Sequence, residues 1–413
     1  MQIWWQLILL SFAWLYIISA AFIMYILMLV PTSLMLIHSK RIISWRRYIC
    51  SSLFNVFADF SAVILRDWCG TRMHFSSDES WEDLVKDNNV IILANHAGAL
   101  DWIYASWCYG ALVDRNADMR MILKDRLKGV PIFGWAMQIL LYSFTSRDKD
   151  LITNIEHIHK SLKYLLLTGQ NRSSMLIFPE SGTKATTQEM NKIFPLRPSG
   201  FLTCIDAYRQ VNNIQDSSMS NCKYNNENNI DNKNRSSNNG TAIHDLTICF
   251  KWRYGPIIPS DVLIHVTRHD IETLPHKYHE LEEWLKRCFE RKVKLLQERG
   301  GSPDKVPHID PRQRLRFSYK KDNFSIVIAM LIPSIIVTFL LCISDVIRYL
   351  ITLGVILTIS SRALGGFDMV ELSLHSDMIL NSLHSMTESS HSLDDGSRVT
   401  IDGDGDNDNK KIK

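Results

Sequence analysis

Two histidines in this chain of 413 residues stand five positions ahead of an aspartate: His96 and Asp101 in NHAGALD, and His265 and Asp270 in HVTRHD. A carboxylate that holds one nitrogen of an imidazole fixes its tautomer and leaves the other nitrogen free as a base. With fourteen histidines such a spacing arises by chance, so the surroundings decide. His96 follows the apolar run VIILA and precedes ALDWIYASWCYGAL, which reads as a helix. The turn between a strand's end and the next helix is where α/β sheets place their sites. Asp101, about one turn into that helix, can fold back on the ring. His265 sits inside the alternating run VLIHVTRHD, with no such turn, and reads as structural.

A base needs a substrate held against it. MLIFPESGTK ends another strand with Pro179, Glu180, Gly182, Thr183 and Lys184: a turn with backbone amides, a hydroxyl and a cation. LKDRLKGVPIFGWAMQ offers Lys124 and Lys128 ahead of a Val130–Pro131 turn, and FTSRDK adds Arg147. Cations and amides converging at strand ends suit a phosphate-bearing substrate. Singly, each has a bland reading, a turn or a solvated face.

These segments need a sheet to converge on. NVIILA, MRMIL, LLYSF, SMLIFP, LTICFKW and VLIHV read as strands, with helical periodicity between several of them, as in ITNIEHIHKSLKYLLL. The alternation predicts an α/β fold with a mostly parallel central sheet flanked by helices. Apolar spacing from Leu281 to Leu296 predicts an amphipathic helix ending at Gly300–Gly301. Residues 212–241 are rich in Asn and Ser and predict a disordered insertion.

The net charge of +3 gives no reason to expect a nucleic-acid partner. Eight cysteines without a Cys-x-x-Cys pair read as buried, reduced thiols, so neither a metal nor a disulfide framework is expected. From Met1 to Ser39 there is no Asp, Glu, Lys or Arg. That run is too long for a signal peptide and long enough for a transmembrane helix. Lys40, Arg41, Arg46 and Arg47 follow it, which predicts a cytosolic flank and a lumenal N-terminus. Residues 40–70 then read as an amphipathic stretch lying on the membrane surface. Phe324–Leu341 and Tyr349–Ile359 predict a membrane hairpin, the second block being short enough to be re-entrant instead. The expected division is a transmembrane segment over 1–39, a soluble-facing domain over 40–312, the hairpin over 313–362 and a polar tail over 363–413.

Taken together, NHAGALD, LKGVPIFGW and FPESGT resemble the three blocks of the glycerophosphate and lysophospholipid acyltransferase family. LRPSGFLTCIDAYR, IHVTRHDIETLP and GGFDMVEL extend the likeness to its lysocardiolipin acyltransferase branch, over most of residues 1–372. Two positions depart. Ser181 stands between Glu180 and Gly182, and Ala97–Gly98 stand where the branch usually carries Arg-Thr.

The resemblance implies acyl transfer from acyl-CoA, a co-substrate and not a bound cofactor, to a lysophospholipid hydroxyl at a membrane. His96 would be the base and Asp101 its orienting partner. Glu180, Gly182, Thr183, Lys184, Lys124 and Arg147 would bind substrate, with no metal. The terminal KKIK resembles a dilysine retrieval signal, which implies the endoplasmic reticulum and a cytosolic C-terminus. A catalytically silent phospholipid-binding protein on the same fold is the alternative from another class. A phosphoester hydrolase is the third reading, against which stands the lack of a paired metal cluster.

Overall fold

The computed structural model describes residues 2–98, 100–113, 119–145, 151–168, 173–180, 195–210, 241–252, 258–298, 335 and 344–375. Seven strands form one sheet: β1 (Arg72–Ser77), β2 (Asn89–Ala94), β3 (Met119–Lys124), β4 (Ser143–Thr145), β5 (Ser173–Ile177), β6 (Thr241–Trp252) and β7 (Pro259–Asp270). Their spatial order is β1-β7-β6-β2-β5-β3-β4, and every neighbouring pair is parallel except β6 with β7. The predicted α/β fold with a mostly parallel sheet is therefore present. Sequence reading had no place for β1, whose RMHFSS lacks a continuous apolar run.

β2 is buried along its whole length, as expected for a central parallel strand covered on both faces. Alternate residues divide between two cores. Val90, Ile92 and Ala94 join the cluster built with α1 (Gln2–Thr32), α2 (Lys40–Val63), α4 (Asp101–Val113) and α5 (Phe133–Ile139). Ile91 and Leu93 point the other way. They pack with α6 (Leu151–Thr168), α7 (199–210) and α8 (Tyr278–Glu298). Among the described residues, further helices are the short α3 (Trp81–Lys86), then α9 (Asp345–Ser361) and α10 (367–375).

Among the described residues, three helical stretches are long and apolar enough to cross a membrane: Ser11–Thr32, Lys40–Trp68 and Asp345–Leu364. None stands apart from the domain. α1 buries Ala13, Ile17, Ala21, Met24 and Met28 while Phe12, Leu15, Ile18 and Phe22 stay exposed on its other side. α9 meets α1 where Gly354 lies so close to Leu29 that a Cβ would come within 2.6 Å of its carbonyl oxygen.

The basic flank of α1 is smaller than its sequence promised. Arg46 and Arg47 turn inward and grip Glu371 of α10, with Arg46 bonding both carboxylate oxygens at 2.8 and 2.6 Å. Lys40 and Arg41 remain exposed. The expected insertion over 212–241, apart from Thr241, which opens β6, and the block Phe324–Leu341, apart from Ile335, lie outside the described residues.

Candidate active site

Because β2, β3, β4, β5 and β6 run in one direction, the turns that follow them gather on one rim of the sheet. β2 delivers Asn95 and His96 there. The Asn95 side chain, wholly buried, donates to the Ile248 carbonyl at 2.9 Å and accepts from the Ile248 N–H at 2.7 Å. Such a two-way amide clamp fixes the first residue after the strand to the neighbouring β6. Beneath it, buried Lys292 of α8 donates to the carbonyls of Leu93 at 3.1 Å and Leu246 at 2.5 Å. Asp245 neutralises that ammonium.

His96 is held on three sides. Its Nδ1 lies 2.8 Å from Asp101 Oδ2, its ring stacks on Phe178 at 4.7 Å between centroids, and its main-chain N–H donates to Glu180 Oε2 at 2.8 Å. With Asp101 ionised, Nδ1 carries the proton and Nε2 is left as the basic nitrogen. The imidazole is 27% exposed and Asp101 only 1%. Asp101 opens α4, where a negative charge is favoured by the helix dipole. Burial nonetheless pushes its carboxyl above the usual range, and the bond from His96 and the backbone of Gly98 and Ala97 offset this only in part. A carboxylate in that state is under-compensated until the imidazole gains a proton.

Glu180 is buried directly after β5, the strand beside β2. It bridges to Leu196, and the Pro179 carbonyl accepts from Arg197 N–H at 2.8 Å. Lys124 stands exposed at the end of β3, two strands or roughly 10 Å from β2. Lys128 points elsewhere: its ammonium pairs with Asp368 at 2.9 Å. Gly182, Thr183, Lys184, Ser181 and Arg147 lie outside the described residues.

Sequence reading assigned nothing to Asn95, Phe178 or Lys292. Asn95 could have been found, being a polar side chain wedged between an apolar strand and the histidine. Lys292 could not, since on sequence it is one of several cations on an amphipathic helix. The second pair separates as expected. His265 is bonded to Ser76 Oγ at 2.8 Å, and Asp270 caps the following turn by accepting from Glu272 N–H at 3.0 Å.

Asp245, His269 and Cys288 bring metal-ligating atoms within 4.8 Å of one another. Lys292 already meets Asp245, and Arg291 donates to Cys288 Sγ at 3.0 Å, so cations of the chain itself occupy that corner.

Residues 77–211 match the protein-family model described as Acyltransferase. Lysocardiolipin acyltransferase 1 of Mus musculus is 25% identical over 372 residues, spanning 82% of this chain and 90% of that protein. Its counterpart from Gallus gallus is 23% identical over 363 residues, 80% of this chain and 86% of its own length. The probable 1-acyl-sn-glycerol-3-phosphate acyltransferase 5 of Arabidopsis thaliana is 25% identical over 251 residues, 55% and 57% of the two chains.

Proposed function

We propose, for a chain that belongs to the acyltransferase family, that it moves an acyl group from acyl-CoA to a free glycerol hydroxyl of a lysophospholipid. The observation that carries this reading is the oriented imidazole at the sheet's rim, 2.8 Å from a buried carboxylate and open on its other side. In the reaction, His96 Nε2 takes the hydroxyl proton as the oxygen attacks the thioester carbonyl. The tetrahedral centre collapses with cleavage of the carbon–sulfur bond, and the CoA sulfur leaves with the proton returned by the imidazolium. A positioned base of this kind contributes about 10²–10⁴ in rate. Asp101 orients the ring and stabilises the imidazolium, regaining in the transition state the compensation it lacks at rest. The thioester is already activated, so no acyl-enzyme is required.

By family likeness, the amides of Gly182 and Thr183 would steady the oxyanion, and Lys184, Lys124 and Arg147 would meet the acceptor's phosphate. Glu180 would hold the His96 turn while facing the acceptor. Lysocardiolipin, lysophosphatidylinositol and lysophosphatidic acid are the acceptors proposed, the first and last supported by the names of the relatives. The exposed Lys40 and Arg41 support a membrane protein whose catalytic domain faces the cytosol, the endoplasmic reticulum being the membrane proposed and the later apolar blocks forming a hairpin over 313–362.

The test is to incubate membranes bearing the protein with labelled oleoyl-CoA and a panel of lysolipids. Label in a diacyl product supports the reading. Its absence across the panel with a well-folded protein would overturn it, and phosphate release would point to a hydrolase.

A further inference from the structure

The turn after β3 is strained, and the strain is held from an unexpected direction. Ile132 has φ 68° and ψ −64°, and the Phe133 N–H donates to the Pro131 carbonyl at 2.8 Å, which makes a γ-turn. A β-branched residue at this positive φ is strained and persists only where its surroundings over-determine it. Gly134 supplies part of that constraint, since a Cβ there would lie 2.1 Å from the Leu127 carbonyl oxygen. The rest comes from the segment between α9 and α10, more than two hundred residues later.

Gln138 joins the two. Its amide donates to the carbonyls of Lys128 and Gly134, both at 3.2 Å, and its oxygen accepts from the Phe367 N–H at 2.9 Å. Lys128 reaches the same segment with its ammonium, donating to the Gly365 carbonyl at 2.9 Å and pairing with Asp368 at 2.9 Å. Gly366, at φ 121°, is what lets this segment come so close. A Cβ there would meet Gln138 Oε1 at 2.5 Å and Asp368 Oδ1 at 2.7 Å.

We propose that Asp368 is a positioning residue for the acceptor: through Lys128, the segment that follows the last apolar helix holds the 125–134 turn in the shape that meets the lysolipid headgroup. This rests on the function proposed above. Lys128 becomes a structural cation, and Lys124 and Arg126 are the cations exposed on the turn. Asp368 is not what docks the segment. Glu371, three residues on along α10, already anchors it through Arg46, Arg47 and the Tyr164 hydroxyl. Loss of Asp368 should therefore disturb the turn and leave the fold.

The experiment uses the full chain in detergent micelles with 1-oleoyl-glycerol-3-phosphate and oleoyl-CoA. Asp368→Asn is expected to raise the acceptor KM about tenfold or more while the KM for oleoyl-CoA stays within about twofold. Asp368→Glu should restore part of the loss, and Asp368→Asn with Lys128→Met should be no worse than either alone. A fall in thermal stability with the acceptor KM unchanged, or an equal rise in both KM values, overturns the proposal. Equilibrium binding of the same lysolipid without acyl-CoA gives a second reading. Binding weakened by Asp368→Asn supports the inference, and unaltered binding defeats it. A wild-type protein that binds the lysolipid but transfers no acyl group would defeat the proposed reaction alone.

Discussion

Among the described residues, two histidine–aspartate pairs are closer than 3 Å, and they have opposite designs. His96 and Asp101 are 2.8 Å apart at the sheet's rim; His244 and Asp87 are 2.9 Å apart in its body, with His244 opposite Ile92 of β2. In the inner pair both ring nitrogens are committed, Nε2 to Asp87 and Nδ1 to the Tyr109 hydroxyl at 2.7 Å. Arg268 adds two further bonds to Asp87, at 2.8 and 2.7 Å. Burial raises the Asp87 carboxyl, but His244 and Arg268 outweigh it and hold the group below its ordinary value. Asp101 has the reverse balance, burial winning over its partners. What marks a base is thus not the distance to a carboxylate. It is an outward nitrogen and a carboxylate that gains most when the ring becomes charged.

The largest contrast should come from removing each ring. His96→Ala is expected to cost about 10²–10⁴ in turnover while the folded fraction keeps its near-ultraviolet circular dichroism. A well-folded variant that keeps its turnover breaks the assignment. Asp101→Asn should follow, losing up to about 10⁴ in turnover by presenting the wrong hydrogen-bonding pattern to Nδ1. It should also be no less stable than the wild type, because a neutral amide escapes the burial penalty that the carboxylate carries. Thermal melts of Asp101→Asn beside Asp87→Asn sharpen the comparison, since only the second removes a net stabilising charge. His244→Ala should spare the turnover of the folded fraction. It leaves Asp87 and Tyr109 short of a partner, at a cost of about 1–3 kcal/mol in denaturant titration.

How these two pairs were distributed over the sequence explains what could be read from it. His96 and Asp101 are five residues apart and straddle a strand's end, so local pattern revealed both the pair and its place in the fold. Asp87 and His244 are 157 residues apart; no local pattern joins them. The same holds for Glu371 and its partners Arg46 and Arg47, two arginines that read as a membrane flank until the chain closed on itself. Strands β2, β3, β5, β6 and β7 were legible because buried parallel and hairpin strands are runs of apolar residues. β1 was not, since its outer half is exposed and its partner lies far along the chain. Lys124 and Lys128 are equivalent in sequence, and only the return of Asp368 distinguishes them.

The gentlest way to separate the pairs is acid. Asp101 has a folded carboxyl raised above its ordinary 3.8, so its charged form opposes folding at neutral pH, and that penalty is relieved as pH falls through the raised value. Asp87 has a folded carboxyl lowered from 3.8. Its stabilisation is complete above the unfolded value and is lost only as pH falls through the lower, folded one. Glu371, held down at about 2 by Arg46 and Arg47 against the opposing effect of burial, behaves like Asp87. Descending from neutral pH, proton uptake by the rim pair as a unit should silence the base first, by at most about tenfold per pH unit, while the fold is still intact. Turnover measured beside near-ultraviolet circular dichroism over the same buffers tests this order. Activity that disappears only together with the tertiary signal would mean that the rim carboxylate is as firmly compensated as the inner one, and the distinction between the two pairs would be lost.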